Sequence, residues 1–340
     1  MLAMQYHTIH DFRLSGGEIL PEATIAYLTR GELGAEGRNA VLVTHGYTSG
    51  PRMIEGGESA SEGSWAALVG PGCPIDTDRH FVVASNMLGS SFGSTNAASI
   101  DPRTGRRYGS RFPELTVADI VAAQKHLLDA LGVRHLLAVV GPSYGGFQAF
   151  QWAVDFPDFM HAIAPVVTGL RSPVGRIEPL LAQLGRDPNW NGGDYYDRGG
   201  VVDTTTEMRI ETLRGYGLDA GLKARFPDPA ARAAELRRIA RAWAEQFDAN
   251  SLVILRRAML RYDVATRLDR IRAKVLYVLS ATDTLFPPAL APEVMGALRA
   301  AGVTAEYVAL DSEFGHLASG LDAAKWAPDL ARFLRALPAA

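Results

Sequence analysis

One stretch of this sequence, residues 136–156, limits the possible folds more than any other, because it combines a strand, a tight turn and a helix. Leu136–Val140 is an apolar run of the kind found in buried strands. The next residues, Gly-Pro-Ser-Tyr-Gly at 141–145, match the G-x-S-x-G motif, and apolar residues at helical spacing continue to Phe156. In this motif a sharp turn holds the serine hydroxyl above the sheet edge, beside helix N–H groups that favour negative charge. The stretch therefore predicts an α/β fold in which Ser143 is a candidate nucleophile.

A second match to the same motif, Gly-Ser-Ser-Phe-Gly, lies at residues 89–93. It also follows a strand-like run, Phe81–Ala84, but turn-forming residues come after it, including Asp-Pro-Arg-Thr-Gly at 101–105. No helix is therefore predicted to begin at Ser91, so the helix N-terminus that would favour an oxyanion is missing there. The context favours Ser143 over Ser91 as the nucleophile.

The composition excludes several classes of protein. The net charge of the 340-residue chain is −3, with acidic and basic residues interspersed, which is not typical of proteins that bind nucleic acid or anionic membranes. The single cysteine, Cys73, excludes a disulfide framework. The sequence has no apolar signal-peptide core and no run of about 18 apolar residues. We therefore expect a cytoplasmic protein with no membrane or nucleic-acid partner.

Short apolar strands alternate with amphipathic helices along most of the chain, which predicts a mostly parallel sheet with helices on both faces. The predicted strands are Ala23–Thr29, Val41–Thr44, Phe81–Ala84, Leu136–Val140, Ile163–Val167, Val275–Leu279 and Glu306–Leu310. The predicted helices between them are Val117–Leu131, Gly145–Phe156, Ala289–Ala301 and Lys325–Leu337. From Thr168 to Arg272 only turns and helical stretches such as Ala230–Phe247 are found. We predict a core formed by residues 1–167 and 273–340, with a helical cap inserted at 168–272.

Two further residues complete a candidate catalytic triad. Asp283 follows the predicted strand Val275–Leu279, and His316 follows the predicted strand Glu306–Leu310. Because parallel strands bring their C-terminal ends to one edge of a sheet, both side chains should lie near Ser143. The order Ser, Asp, His along the chain is the one expected with this type of elbow. In such a triad His316 takes the serine proton, while Asp283 fixes the imidazole tautomer and stabilises the imidazolium.

Acyl transfer also needs two backbone N–H groups that bind the oxyanion. One belongs to the residue after the nucleophile, which is Tyr144 here. The other belongs to the loop after an early strand, and His-Gly-Tyr at residues 45–47 follows Val41–Thr44. We predict Tyr47 as this second donor and expect His45 to shape the loop instead of acting as a base.

Many motifs between residues 93 and 316 resemble the homoserine O-acetyltransferase family of α/β-hydrolase-fold enzymes. They are Gly93-Ser94-Thr95, Asp101–Gly105, Tyr108-Gly109, Phe112-Pro113, the elbow, Gln148, Trp152-Ala153, Phe156-Pro157, Asp187–Trp190, Gly193–Tyr195, Phe247–Ser251, Thr282-Asp283, Leu285–Pro288 and Gly315-His316. The resemblance implies the α/β-hydrolase fold and a triad of Ser143, Asp283 and His316. It also implies a helical cap over the site and, in many members, a dimer made through the cap.

The chain departs from the family pattern at two places. Family members read Gly-Gly-Ser-Met-Gly at the elbow, where this chain has Gly-Pro-Ser-Tyr-Gly. In the family an aspartate that holds the homoserine ammonium follows the catalytic histidine, whereas Leu317 follows His316 here. An apolar side chain cannot pair with a buried cation, and an unpaired buried cation costs several kcal/mol. By contrast Arg209, seven residues before Tyr216, matches the family's arginine that binds the homoserine carboxylate. Arg209, Tyr216 and Leu317 are therefore the candidate substrate-binding residues.

These observations predict an acyl-enzyme on Ser143. Because Leu317 lacks the charge that an amino-acid acceptor needs, the favoured outcome is hydrolysis of small, acetyl-type esters. The alternative is an O-acyltransferase that moves an acyl group from acetyl-CoA or a similar thioester to a hydroxyl acceptor. A non-catalytic ligand-binding protein is a third possibility. The sequence contains no P-loop, dinucleotide-binding or zinc-protease motif, so no bound cofactor or metal is expected.

The cap also carries a prediction about assembly. The predicted helix Ala249–Tyr262 has more apolar residues than it needs against its own core, namely Leu252, Ile254, Leu255, Ala258 and Met259. With Trp190 and the cap tyrosines, they favour a homodimer through the cap. The alternative is that these residues cover the active site of their own chain.

Overall fold

A central sheet of eight strands organises the computed structural model, which describes residues 1–56, 64–173 and 175–338. The strands are β1 (Gln5–Arg13), β2 (Ile19–Arg30), β3 (Ala40–Thr44), β4 (Phe81–Ser85), β5 (Leu136–Pro142), β6 (Met160–Val166), β7 (Lys274–Ser280) and β8 (Ala305–Leu310). Their order across the sheet is β1-β2-β4-β3-β5-β6-β7-β8. β2 pairs antiparallel with β1 and with β4, and all other neighbours are parallel. The predicted mostly parallel sheet is confirmed.

Helices cover both faces of this sheet, as predicted. They are α1 (Val117–Ala130), α2 (Tyr144–Asp155), α3 (Glu178–Leu184), α4 (Val202–Gly215), α5 (Leu218–Lys223), α6 (Pro229–Ala244), α7 (Ala249–Leu260), α8 (Ala291–Ala300), α9 (Ala318–Leu321) and α10 (Ala323–Arg335). Alternate strand residues point to opposite faces. Val139 therefore packs in the hydrophobic cluster that contains α1, α2 and α8, while Val140 packs in the cluster that contains α10.

Local sequence signals define where several helices begin. α1 starts with a capping box, in which the Asp119 N–H donates to Thr116 Oγ1 and the Thr116 N–H donates to Asp119 Oδ2, at 3.2 and 2.8 Å. Asp248 caps α7 by accepting from the Ser251 N–H at 3.3 Å. These caps satisfy N–H groups that have no partner inside the helix, and they fix the entry of α7 into the cap.

The chain between β6 and β7 is helical. It contains α3, α4, α5, α6 and α7, and among its described residues the β-type pairing is limited to a single bridge between Arg171 and Asp263. β6 and β7 are nevertheless neighbours in the sheet. Within the described residues, no helix has the length and apolar character needed to cross a membrane.

Candidate active site

Ser143 occupies the turn between β5 and α2 in a strained backbone conformation. Its φ is 56° and its ψ is −119°, a region that residues with a Cβ atom rarely adopt. Two hydrogen bonds hold the turn, because the Ser143 N–H donates to Val166 O and Thr168 Oγ1 donates to Ser143 O, both at 2.8 Å. The strain and its bracing are the geometry expected of a nucleophile elbow.

The glycines of the elbow are required by the close approach of β3. A Cβ atom at Gly141 would lie 2.1 Å from Thr44 Oγ1, and one at Gly145 would lie 2.5 Å from Thr44 O. Thr44 Oγ1 donates a hydrogen bond to Gly145 O at 2.9 Å. Only glycine allows the strand and the turn to pack at this distance.

A chain of buried amide side chains links α2 to the loop after β3. Gln148 Nε2 donates to His45 O at 3.1 Å, and Gln124 Nε2 donates to Gln148 Oε1 at 2.6 Å. Trp152 Nε1 then donates to Gln124 Oε1 at 2.8 Å. The loop that carries Tyr47 is therefore tied to the helix that begins after Ser143.

The side chains of Asp283 and His316 meet at the C-terminal edge of the sheet. Asp283 Oδ2 and His316 Nδ1 are 2.8 Å apart, and Asp283 Oδ1 accepts the N–H groups of Leu285 and Phe286 at 2.8 and 3.2 Å. Burial alone would raise the pKa of the Asp283 carboxyl, but His316 and the two N–H groups outweigh burial and lower this pKa below its ordinary value. A carboxylate on Nδ1 is the arrangement expected of the predicted triad, in which Nε2 is the atom that exchanges the proton.

Two aromatic rings pack against the imidazole of His316. The ring centroid of His316 is 4.9 Å from that of Tyr216 and 5.8 Å from that of Phe286. Nε2 is buried and has no hydrogen-bond partner within the described ranges, Ser143 included. Catalytic hydrogen bonds are often long or poorly aligned before substrate binds, so this geometry is compatible with a Ser–His pair.

The tyrosines that flank the nucleophile are anchored to α7. The Tyr47 hydroxyl donates to Leu252 O, and the Tyr144 hydroxyl donates to Leu255 O at 3.2 Å. Burial raises the pKa of Tyr47 to about 12, against a smaller opposing effect of Arg256, and burial also raises the pKa of Tyr144. Both phenols are therefore neutral donors whose hydroxyls bind the cap, and their backbone N–H groups remain the predicted oxyanion donors.

Ser143 lines a cavity of about 440 Å³ between the core and the cap. Its other lining residues include Tyr47, Tyr144, Phe286, Arg209, Tyr216, Leu252, Arg256 and Met259. A larger depression of about 990 Å³ is lined by Leu137 and by residues of α10. Leu137 is near the start of β5, whereas Ser143 follows its end, so the larger depression is remote from the elbow.

The structure brings two of the three predicted substrate-binding residues to the cavity wall. Arg209 is 1% exposed, its Nη1 donates to Thr48 Oγ1 at 2.7 Å, and its guanidinium lies 4.7 Å from the Trp243 ring centroid. Tyr216 lines the same cavity. Leu317 is also buried but is not part of the cavity wall.

Sequence reasoning missed Arg256, which lines the cavity from α7. The available signal was its helical spacing, because Leu252, Arg256 and Met259 are four and three residues apart and share one face. The apolar residues of α7 are buried within their own chain, with Leu252, Leu255 and Met259 at most 6% exposed. They no longer argue for an interface between subunits, and the homodimer stays a prediction.

Two residues that resemble catalytic groups have other partners. The Ser91 hydroxyl accepts the Asp248 N–H at 2.8 Å, and no helix begins at Ser91, as predicted. His45 is buried, with its Nδ1 2.9 Å from Gly46 O and its Nε2 2.8 Å from Asn86 Oδ1. Both side chains therefore support the loops around the site. Among the residues that the structure describes, no group of three His, Cys, Asp or Glu side chains is placed to hold a metal ion.

Comparison with known proteins agrees with this architecture. A sequence model of the alpha/beta hydrolase fold family matches residues 39–322, which defines the chain as an enzyme of the α/β-hydrolase class. The chain is 36% identical to a homoserine O-acetyltransferase from Pelobacter propionicus, and the alignment covers 97% of this chain and 95% of the relative. The chain therefore belongs to the homoserine O-acetyltransferase family within the α/β-hydrolase fold.

Solved structures support the same fold. A homoserine O-acetyltransferase from Bacillus anthracis superposes with a TM-score of 0.88 at 23% identity, covering 99% of this chain and 98% of that one. The L374D mutant of esterase E22 also superposes with a TM-score of 0.88, at 24% identity, covering 98% of this chain and all of that one. At this identity both likenesses establish the fold alone.

Proposed function

We propose that this protein is an O-acyltransferase of the homoserine O-acetyltransferase type, with acetyl-CoA or a similar thioester as its acyl donor. The observation that carries the proposal is the 36% identity to a homoserine O-acetyltransferase along nearly the whole chain. The buried Arg209 in the same cavity as Ser143 supports it, because a guanidinium suits the carboxylate of an amino-acid acceptor. This choice reverses the preference for ester hydrolysis that Leu317 suggested.

The proposed reaction has two halves that share one acyl-enzyme. Ser143 Oγ attacks the thioester carbonyl carbon while His316 Nε2 takes the hydroxyl proton, and the Tyr47 and Tyr144 N–H groups bind the oxyanion. The C–S bond breaks, and the proton passes from His316 to the departing sulfur. The acceptor hydroxyl then gives its proton to His316 and attacks the acyl carbon, after which the bond to Ser143 breaks and Oγ recovers the proton.

Ester hydrolysis remains the second candidate because of one observation. Leu317 stands where an ammonium-binding carboxylate is expected next to His316. If no acceptor stays bound over the acyl-enzyme, water takes its place in the second half-reaction, with the same proton transfers. The two candidates therefore differ only in what removes the acyl group from Ser143.

Intact-mass spectrometry separates the candidates. The protein is mixed with acetyl-CoA, or with a simple acetate ester, and the mass increase on Ser143 is followed with and without millimolar homoserine. The proposal expects homoserine to speed loss of the acetyl group and to appear as its O-acetyl ester. Deacylation at an unchanged rate, with acetate as the sole product, would contradict transfer and support hydrolysis. No acetylation from either donor would contradict both.

A further inference from the structure

One charged side chain interrupts the apolar face with which α7 covers the cavity. Leu252, Arg256 and Met259 line the cavity from this helix. Their spacing of four and three residues places them on one face, with Arg256 between the two apolar side chains. A cation in the middle of such a face needs a reason, because an aliphatic residue would pack there at lower cost.

The described part of the chain offers Arg256 no carboxylate. Its guanidinium carbon lies 5.6 Å from the ring centroid of Tyr47, and its buried Nε has no hydrogen-bond partner among described residues. The other arginines of this segment are different, because Arg257 and Arg261 both contact Glu114. The guanidinium also makes a side-chain hydrogen bond with Tyr47, so the donor that it keeps for another group is the unpaired Nε–H.

The charges of the cavity wall favour an anion. Among the described residues that line it, the charged ones are Arg209, Arg256 and Glu211. Glu211 is exposed and accepts a hydrogen bond from Gln183 Nε2 at 3.3 Å, so water already solvates it. Arg256 therefore adds to the described part of the wall a positive charge that has no carboxylate partner there, and a negative group on the substrate would complement it.

The contacts of α4 and α7 with the proposed catalytic groups indicate which part of the substrate lies under each helix. Tyr216, at the end of α4, lies against His316, which must exchange a proton with the oxygen of the acceptor. The acceptor is therefore expected under α4. By contrast α7 binds the hydroxyls of Tyr47 and Tyr144, whose N–H groups are proposed to hold the acyl carbonyl oxygen. The rest of the acyl group then extends under α7, where Arg256 lies.

We infer that the acyl group carried by Ser143 ends in a second carboxylate, which Arg256 binds, so that the donor is a monothioester or monoester of a short dicarboxylic acid. This inference rests on the proposed acyl transfer and specifies its donor. The terminal carboxylate takes no part in bond making. It pairs with the guanidinium while the carbonyl at the other end of the chain reacts with Ser143.

Thioesters of N-acetylcysteamine test this directly. The glutaryl and succinyl thioesters carry the second carboxylate, and the butyryl thioester lacks it. Thiol release and intact mass report acylation of Ser143, each corrected for the rate without protein. We expect a higher kcat/KM for a carboxylated donor, and Arg256→Gln should lower the carboxylated-to-butyryl ratio by about 10- to 100-fold, as for a lost charge-assisted hydrogen bond.

Two matched variants control the experiment. Arg257→Gln removes the neighbouring guanidinium, which lies outside the cavity, and should leave both rates unchanged. Arg256→Lys keeps the charge without the planar donors and should recover part of the ratio. A wild-type protein with no preference for carboxylated donors would overturn the inference. The inference would also be overturned if Arg256→Gln raised the KM of the acceptor but left the carboxylated-to-butyryl ratio unchanged.

Failure of this inference is distinguishable from failure of the proposed function. If acetyl and butyryl thioesters acylate Ser143 but carboxylated ones have no advantage, acyl transfer stands and the role of Arg256 is wrong. If no thioester acylates the protein, the proposed function itself fails. Thermal unfolding of each variant shows whether a changed ratio reflects the cavity or loss of the folded state.

Discussion

The rings of Tyr47 and Tyr144 lie nearly parallel, with 10° between their planes and 6.2 Å between their centroids. Their hydroxyls bind carbonyl oxygens of Leu252 and Leu255, which belong to the same cap helix. The two residues proposed to supply the oxyanion hole therefore pack against each other, and both are hydrogen-bonded to α7. Substitutions in α7 can alter catalysis without touching the triad.

Replacement of Ser143 with alanine should abolish acylation while the protein stays folded. The hydroxyl is the atom proposed to carry the acyl group, and triad members act as a unit, so a loss of about 10⁴-fold or more in kcat is expected. Ser91→Ala is the matched control, because that serine lies in the second G-x-S-x-G match. It should keep most activity and lose about 1 kcal/mol of stability with the hydrogen bond to the Asp248 N–H. Near wild-type turnover in Ser143→Ala would refute the elbow assignment.

Arg209→Gln should weaken binding of an acceptor that has a carboxylate. Loss of one charge-assisted pair corresponds to a rise in acceptor KM of about 10-fold or more, with a smaller effect on acylation by the thioester. Arg214→Gln, on the exposed side of the same helix, should behave as wild type. Equal effects of the two substitutions on acceptor KM would show that Arg209 does not contact the acceptor.

Leu317→Asp should raise the ratio of transfer to homoserine over hydrolysis. A carboxylate next to His316 can pair with the acceptor ammonium, and one recovered interaction of about 1.4 kcal/mol corresponds to about 10-fold in the transfer-to-hydrolysis ratio. Leu317→Asn has nearly the same shape without the charge and should not shift the ratio. Because Leu317 is 2% exposed, both variants should be less stable than wild type. A product ratio that is the same in both variants would exclude the charge as the cause.

Gly141→Ala should be strongly destabilising although it adds a single methyl group. The new Cβ would lie 2.1 Å from Thr44 Oγ1 and 2.6 Å from Thr44 O, and the second atom belongs to the backbone of β3. Overpacking of this kind costs about 1–3 kcal/mol or more. Gly16→Ala, where no atom lies within 4 Å, should change the unfolding free energy by at most about 1 kcal/mol. Urea unfolding of the two variants gives the comparison.

His45 should make the protein less stable as the pH falls below 6.5. Burial lowers the pKa of His45 from 6.5 to about 4, so between these values the unfolded chain binds a proton that the folded chain does not. The contribution is fully present above pH 6.5 and decreases towards pH 4, by about 3 kcal/mol in total. In His45→Gln the unfolding free energy should fall less steeply across this window. Parallel pH profiles of variant and wild type would contradict the assignment.

The parts of the fold that could be predicted are those in which a local sequence pattern is compatible with a single structure. The elbow could be predicted because glycines on both sides of Ser143, directly after an apolar strand and before a helical pattern, are typical of this turn. Asp283 and His316 were predictable by position, since each follows a predicted strand of the parallel part of the sheet. Distances were not predictable, because the packing of Tyr216 and Phe286 against the His316 ring is set by tertiary contacts that no local pattern encodes.

The elements that were missed have weak local signals. β1 (Gln5–Arg13) is an edge strand with few buried residues, so its sequence is polar for most of its length. α4 contains several threonines, and the Thr205 and Thr206 hydroxyls bond back to Val201 O and Val202 O at 3.1 and 2.7 Å. Such residues disfavour helices in isolation, and tertiary contacts override that preference here.

β6 ends at Val166 and β7 begins at Lys274, yet the two strands are hydrogen-bonded neighbours. The stretch between them, residues 167–273, therefore leaves the sheet and returns to it at adjacent strands. Ser143, Asp283 and His316 all lie outside this stretch, whereas the arginines proposed to choose the substrate lie inside it. Substitutions within this one stretch can therefore change which substrate is accepted without altering the residues proposed to make and break bonds.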